Sequence, residues 1–165
     1  MVINLPPQLG EILNILGFDW PMSNEDQLFE MGQGWMEVAG EIDAKVQEAA
    51  QTAQRAWADN VGQSIDAFKE WWEADDSPAE ALRTAVTGAN LGGAALMICA
   101  GIVLALKIAV IVQLVLLAIQ IAAAIAAAAA TLGIAGAALP AIYALGRKII
   151  SSILQEVVMR LAMGA

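Results

Sequence analysis

The residues best equipped for chemistry in this chain are carboxylates, and they occur in pairs: Glu25-Asp26, Glu37 with Glu41, and Asp75-Asp76. A catalytic carboxylate pair needs burial and one member with a raised pKa. These pairs fall on polar helix faces or in turns rich in capping residues, so they read as solvated surface. The chain has no His and one Cys. That removes Cys/His zinc sites, Ser-His-Asp and Cys-His catalysis, the Glu-x-x-His metal motif and any intramolecular disulfide. Cys99 lies in the apolar run Leu96-Met97-Ile98-Cys99-Ala100 and reads as a small buried hydrophobe rather than a reactive thiol. Gly32-Gln33-Gly34 and Gly92-Gly93 follow no strand and precede no Gly-Lys-Ser/Thr, so neither is a phosphate loop. No catalytic residue, cofactor site or metal site is expected, and the chain does not read as an enzyme.

Charge divides the chain. Its 165 residues carry a formal net charge of −9 and are 59% hydrophobic. Residues 1–80 hold sixteen of the seventeen acids and only three of the eight bases. Residues 81–165 hold one acid, Glu156, and five bases: Arg83, Lys107, Arg147, Lys148 and Arg160. An acidic chain with so few bases does not suit nucleic acid, whose phosphates need a basic face. The N-terminus has neither the basic nor the apolar region of a secretory signal peptide.

Helices account for nearly all of the pattern. Pro6-Pro7 opens a short one with Leu9, Ile12, Leu13 and Leu16 on one face, and Gly17 is placed to end it. Phe18 to Pro21 is a turn. Ser23 or Asn24 caps a second helix running to about Ala58, with Glu25 and Asp26 in its first turn, where the helix dipole favours acids. Leu28, Trp35, Ile42, Ala49 and Ala56 recur there every seven residues, beside a smaller column of Gly32, Ala39, Val46 and Ala53. Such a heptad seam demands a neighbouring helix. Asp59 to Gly62 breaks the helix. A third helix follows, with Ile65, Phe68, Trp71 and Trp72 on its inner side. Asp75 and Asp76 stop it, and Ser77-Pro78 restarts a helix as N-cap and first residue.

From Leu91 to Ile142 the sequence contains a single charge, Lys107. A helix apolar all round is a central core helix or a membrane span. Leu91–Leu106 is slightly short of the usual span of about 20 residues, whereas Ile108–Leu132 is long enough. A buried apolar hairpin in a soluble bundle is the favoured reading. The alternative is a membrane-inserting or pore-forming hairpin of two spans flanking Lys107, bounded by Leu91, Leu106, Ile108 and Leu132. Gly133 and Gly136 read as a bend. Pro140 starts an amphipathic last helix with Ile142, Ile149, Ile153, Val157 and Leu161 on its apolar face.

These readings give an all-α fold: an elongated helical hairpin with a Trp/Gly turn, continuing into an apolar, Ala-rich helical bundle. One domain is expected over residues 1–165, with an acidic hairpin portion at 1–80 and an apolar portion at 81–165. Trp57 and Gly62 at the turn, with Phe68 and Trp72 beyond it, form the sharpest local feature. A Trp at such a tip can seal the hairpin or anchor a partner. Leu28, Trp35, Ile42, Val46, Trp57, Gly62, Phe68 and Trp72 are the candidate partner-binding residues.

A long helix, a turn marked by Trp and Gly, and a second helix resemble the Trp-x-Gly class of small proteins of type VII secretion. A strict Trp-x-Gly would put glycine at position 59, where this chain has Asp59. The chain as a whole is similar to the N-terminal domain of actinobacterial polymorphic toxins, the domain named after an outer-membrane channel and necrotizing toxin. Leu5-Pro6-Pro7, Gly17 to Pro21 followed by Asn24-Glu25-Asp26, Trp35, and the stretch from Trp57 through Gly62 to Phe68 carry the likeness. The resemblance implies a trafficking role ahead of a C-terminal toxin domain. It also implies small helical secretion partners and delivery outside the cell or to its envelope without a cleaved signal peptide. A homodimer through the heptad seam is the structural alternative, and a membrane location goes with the pore reading.

Overall fold

A computed structural model describes residues 3–131 and 137–163. Five α-helices follow one another: α1 (Pro7–Ile15), α2 (Glu25–Ala58), α3 (Gln63–Glu73), α4 (Pro78–Ala130) and α5 (Leu139–Ala162). Among the described residues there is no strand. The expected Gly133/Gly136 bend lies outside them, as does Leu132.

Local chemistry accounts for the boundaries. Pro7 sits in the first turn of α1, where a missing N–H costs nothing. At its other end Gly17 takes φ +82°, the left-handed region open to glycine. Phe18 N–H then donates to Leu13 O at 3.2 Å and Gly17 N–H to Asn14 O at 2.9 Å, the paired bonds of a Schellman stop. Asn24 caps α2, its Oδ1 accepting from Asp26 N–H at 3.1 Å. The buried Ser77 caps α4 in the same way, accepting from Glu80 N–H at 3.2 Å.

The chain forms two compact units. Their borders do not follow the composition change near residue 80. The first combines Met1–Asp26 with Ile98–Ala165, and the second is Gln27–Met97. In the first unit, Leu13 of α1 and Leu16 at its C-cap pack with Leu106, Val110, Leu114 and Leu117 of α4 and Ile150 of α5. The α4 residues recur at three- and four-residue spacing and so form one stripe. Each fully buried Leu or Ile contributes about 1.5–3 kcal/mol. On α5 the buried positions are Gly146 and Ile150, while Leu161, expected on the apolar face, is exposed. Gly146 admits Leu117, whose Cδ2 would lie 2.8 Å from a Cβ at that position.

Two expectations need correction. Leu91–Leu106 and Ile108–Leu132 are not separate spans hinged at Lys107, because α4 runs unbroken for 53 residues through it. Nothing there breaks a helix: the flanking residues are Leu and Ile, and the lysine has a partner on the protein side. Trp71, expected on the inner side of α3, is 52% exposed. It lies about 100° round the helix from the half-buried Trp72, at the edge of the packed face, where it still meets Phe68.

Candidate partner-binding surface

The second unit holds the candidate partner-binding residues. The helix break comes at Asp59, and Asn60 Nδ2 donates back to Ala56 O at 2.8 Å, occupying one of the end carbonyls. Gly62 then takes φ +134°, a conformation that L side chains rarely adopt, and starts α3. Its carbonyl accepts from Ile65 N–H at 2.9 Å and Asp66 N–H at 3.0 Å. This turn folds α3 back so that Trp57 and Phe68 meet, with ring centroids 5.8 Å apart. Phe68 also lies 6.0 Å from Trp71 and 6.1 Å from Trp72, and the two tryptophans meet edge-on at 6.3 Å. Offset and tilted ring pairs at these separations add about 0.5–1.5 kcal/mol each to ordinary burial. Trp57, Gly62, Phe68 and Trp72 are therefore brought together, with the three rings half-buried and the glycine exposed.

The two columns of the α2 seam meet different surroundings. Gly32, Ala39, Val46 and Ala53 are all buried, Ala39 completely. At Gly32 the backbone of α2 meets α4: a Cβ built on Gly93 would lie 2.6 Å from Gly32 O, and one on Gly32 would lie 2.7 Å from Gly93 O. Two facing glycines are what permit the approach. The small column is thus enclosed within the unit itself, and Val46, named as a partner contact, is a core residue. The larger column stays more open. Leu28, Ile42 and Ala56 are half-buried, Trp35 is 51% exposed and Ala49 is exposed. Between α2 and α3, Ala49, Thr52, Ala56, Phe68 and Trp72 line a shallow groove. Lys45 and Glu48 sit at the same groove as an exposed ion pair of 2.9 Å. Their mutual hydrogen bond raises the lysine pKa and lowers that of the glutamate.

Sequence reasoning missed the polar centre of the first unit. Lys107 is 1% exposed, and its Nζ donates to Glu25 Oε2 at 2.6 Å and to Ser23 O at 2.7 Å. Glu25 Oε1 accepts from Ile3 N–H at 2.8 Å, and the Trp20 ring lies 5.9 Å from the ammonium. The hydrogen bond from Lys107, then that from Ile3, holds the Glu25 carboxyl down at about 2 from an ordinary 4.5, against the upward push of burial. The only clue in the sequence was a lone charge in the long apolar stretch, which had to be paired if buried. Arg147 makes a second long-range link, donating from Nε to Leu16 O at 3.1 Å.

Of the residues considered for membrane insertion, Leu91 and Ile108 are exposed and Leu106 is buried in the core. Cys99 is half-buried. Of the carboxylate pairs read as solvated surface, Glu37 with Glu41 and Asp75 with Asp76 are exposed, whereas Glu25 is buried and Asp26 half-buried. The described residues include no group of three Cys, Asp or Glu placed to hold a metal ion.

Helices alone among the described residues, a hairpin closed by a glycine turn with clustered, tilted rings, and an open apolar column on the longer helix define an all-α protein of the helical-hairpin class. The chain belongs to the WXG100-like domain family, whose family model matches residues 6–147. It is thereby a helical protein associated with type VII secretion, in a family generally non-enzymatic, typically paired with helical partners and exported without a signal peptide. No curated protein and no solved structure matches it significantly.

Proposed function

We propose that this chain is a non-catalytic trafficking domain of a polymorphic toxin, which pairs with a small helical protein for export by a type VII-like secretion system. The observation that carries this reading is the open column of α2. Leu28, Trp35 and Ile42 remain at least partly accessible after the small column of the same seam has been enclosed. A helix of a partner protein, laid along that column and reaching the groove by Phe68 and Trp72, would complete the packing of α2. Trp72 and Trp57 would serve as anchors near the turn, since rings contribute disproportionately to helix-in-groove binding. The toxin domain itself would follow in a longer protein, and the product would reach the medium or the cell envelope.

The test is export. A reporter enzyme fused after Ala165 should appear in the culture filtrate of a host with an intact type VII system and stay inside the cell when the secretion ATPase is deleted. Substituting Ile42→Asp and Trp35→Asp together should block export while leaving the far-ultraviolet circular dichroism unchanged. Equal release with and without the ATPase would sink the proposal.

A further inference from the structure

The outer face of α4 in the first unit has no use in the reading above. Ile98, Ile108, Val112, Val115, Leu116 and Ile119 are all exposed, Ile119 by 61%. They fall within roughly a third of the helix circumference. The most apolar 18-residue stretch of the chain has a mean hydropathy of 2.9, yet only 28% of it is buried. A core helix of a water-soluble fold would be mostly enclosed. Soluble monomers rarely leave so continuous an apolar patch open.

We propose that this face of α4 docks on a lipid bilayer. The helix lies along the hydrocarbon boundary, with the Glu25–Lys107 pair kept on the protein side. Three features favour lipid over a second protein chain. First, Lys107 is the only charge from Leu91 to Ala130, and it is turned into the core and neutralised there. Docking therefore strips water from no ion of α4. Second, the face is bordered beside Leu116 by the uncharged Gln113 and Gln120, and the charges at its Ile98 end, Glu156 and Arg160 of α5, are already paired with each other at 2.6 Å. A helix seam in water is flanked by charges, and protein interfaces have a polar rim with hydrogen bonds; lipid tails require neither. Third, the opposite face of α4 remains packed on α1 and α5. The helix can thus lie on a membrane without unpacking, as interfacial helices of about 20–30 residues do. The first unit carries five acids and four bases, so anionic headgroups add little to its binding. Apolar area drives the contact, and zwitterionic lipid suffices.

Flotation of the intact protein with phosphatidylcholine vesicles tests this. The protein should float equally at low and high salt. Val112→Glu should reduce the bound fraction about tenfold or more, since a charge resists transfer from water. Ile119→Ser, a milder change at an exposed position, should reduce it by a smaller factor, with the thermal midpoint of both variants unchanged. Wild-type protein left at the bottom of the gradient overturns the proposal, as does binding abolished by salt. So does a defined oligomer that Val112→Glu converts to monomer, because a second copy would then cover the face. The α2 and α3 residues are untouched in these variants, so failure here leaves the pairing reading standing.

Discussion

Replacing Lys107 with Met removes the buried ammonium and keeps the aliphatic bulk. Glu25 is then left as a carboxylate, 4% exposed, with backbone N–H groups of Ile3 and of Glu25 itself but no cation bonded to it, and Ser23 O loses its donor. Breaking a buried pair from one side costs about 3–5 kcal/mol, because the remaining charge has no compensation. In a chain of this size each kcal/mol moves the thermal midpoint by roughly 2–4 °C, so Lys107→Met should melt about 6–20 °C lower. Adding Glu25→Leu should recover most of that loss, since a buried pair replaced by apolar residues is often neutral or better. Titration gives a second readout. Glu25 has a folded pKa of about 2 against an ordinary 4.5. Below about 4.5 the unfolded chain takes up a proton there while the folded chain does not. The stabilisation is complete above that pH and is lost as pH falls toward about 2. Urea unfolding of wild type, both single variants and the double variant, at pH 7 and pH 3, gives the complete cycle. If Lys107→Met costs less than about 1 kcal/mol at pH 7, and the Glu25→Leu variant keeps the same acid sensitivity as wild type, the reasoning fails.

Three further outcomes follow from the glycines of the second unit. Gly93→Val should cost about 1–3 kcal/mol or more in denaturant unfolding, because the new side chain meets the backbone oxygen of Gly32, which cannot rotate away. Gly34→Ala, with nothing within 4 Å, should stabilise α2 by up to about 1 kcal/mol, so the pair separates close approach from helix propensity. Gly62→Ala should cost about 1–3 kcal/mol, because its φ of +134° is strained for alanine although the space around it is open. Unfolding should report that loss together with altered tryptophan fluorescence as the Trp57–Phe68 contact loosens.

Local chemistry in the sequence determined most of the elements by itself. Pro7, Gly17, Asn24, Gly62 and Ser77 each act within a few residues, through a fixed φ, a permitted positive φ or a capping oxygen. Hence the helix order, the turn after Ala58 and the grouping of aromatic residues about it were legible, and so was the all-α class. Tertiary structure decided the rest, because it concerns partners far apart in the chain. The heptad pattern of α2 shows two columns but not which one the chain's own α4 encloses; the Gly32–Gly93 approach, sixty-one residues apart, settles that. An apolar helix has no intrinsic inner face, so the periodicity of α4 could not say that Leu114 is core and Ile119 surface. The pairing of Lys107 with Glu25 joins residues eighty-two positions apart. It follows from the cost of leaving an ion alone in an apolar core, a constraint that names the need for a partner but not its position.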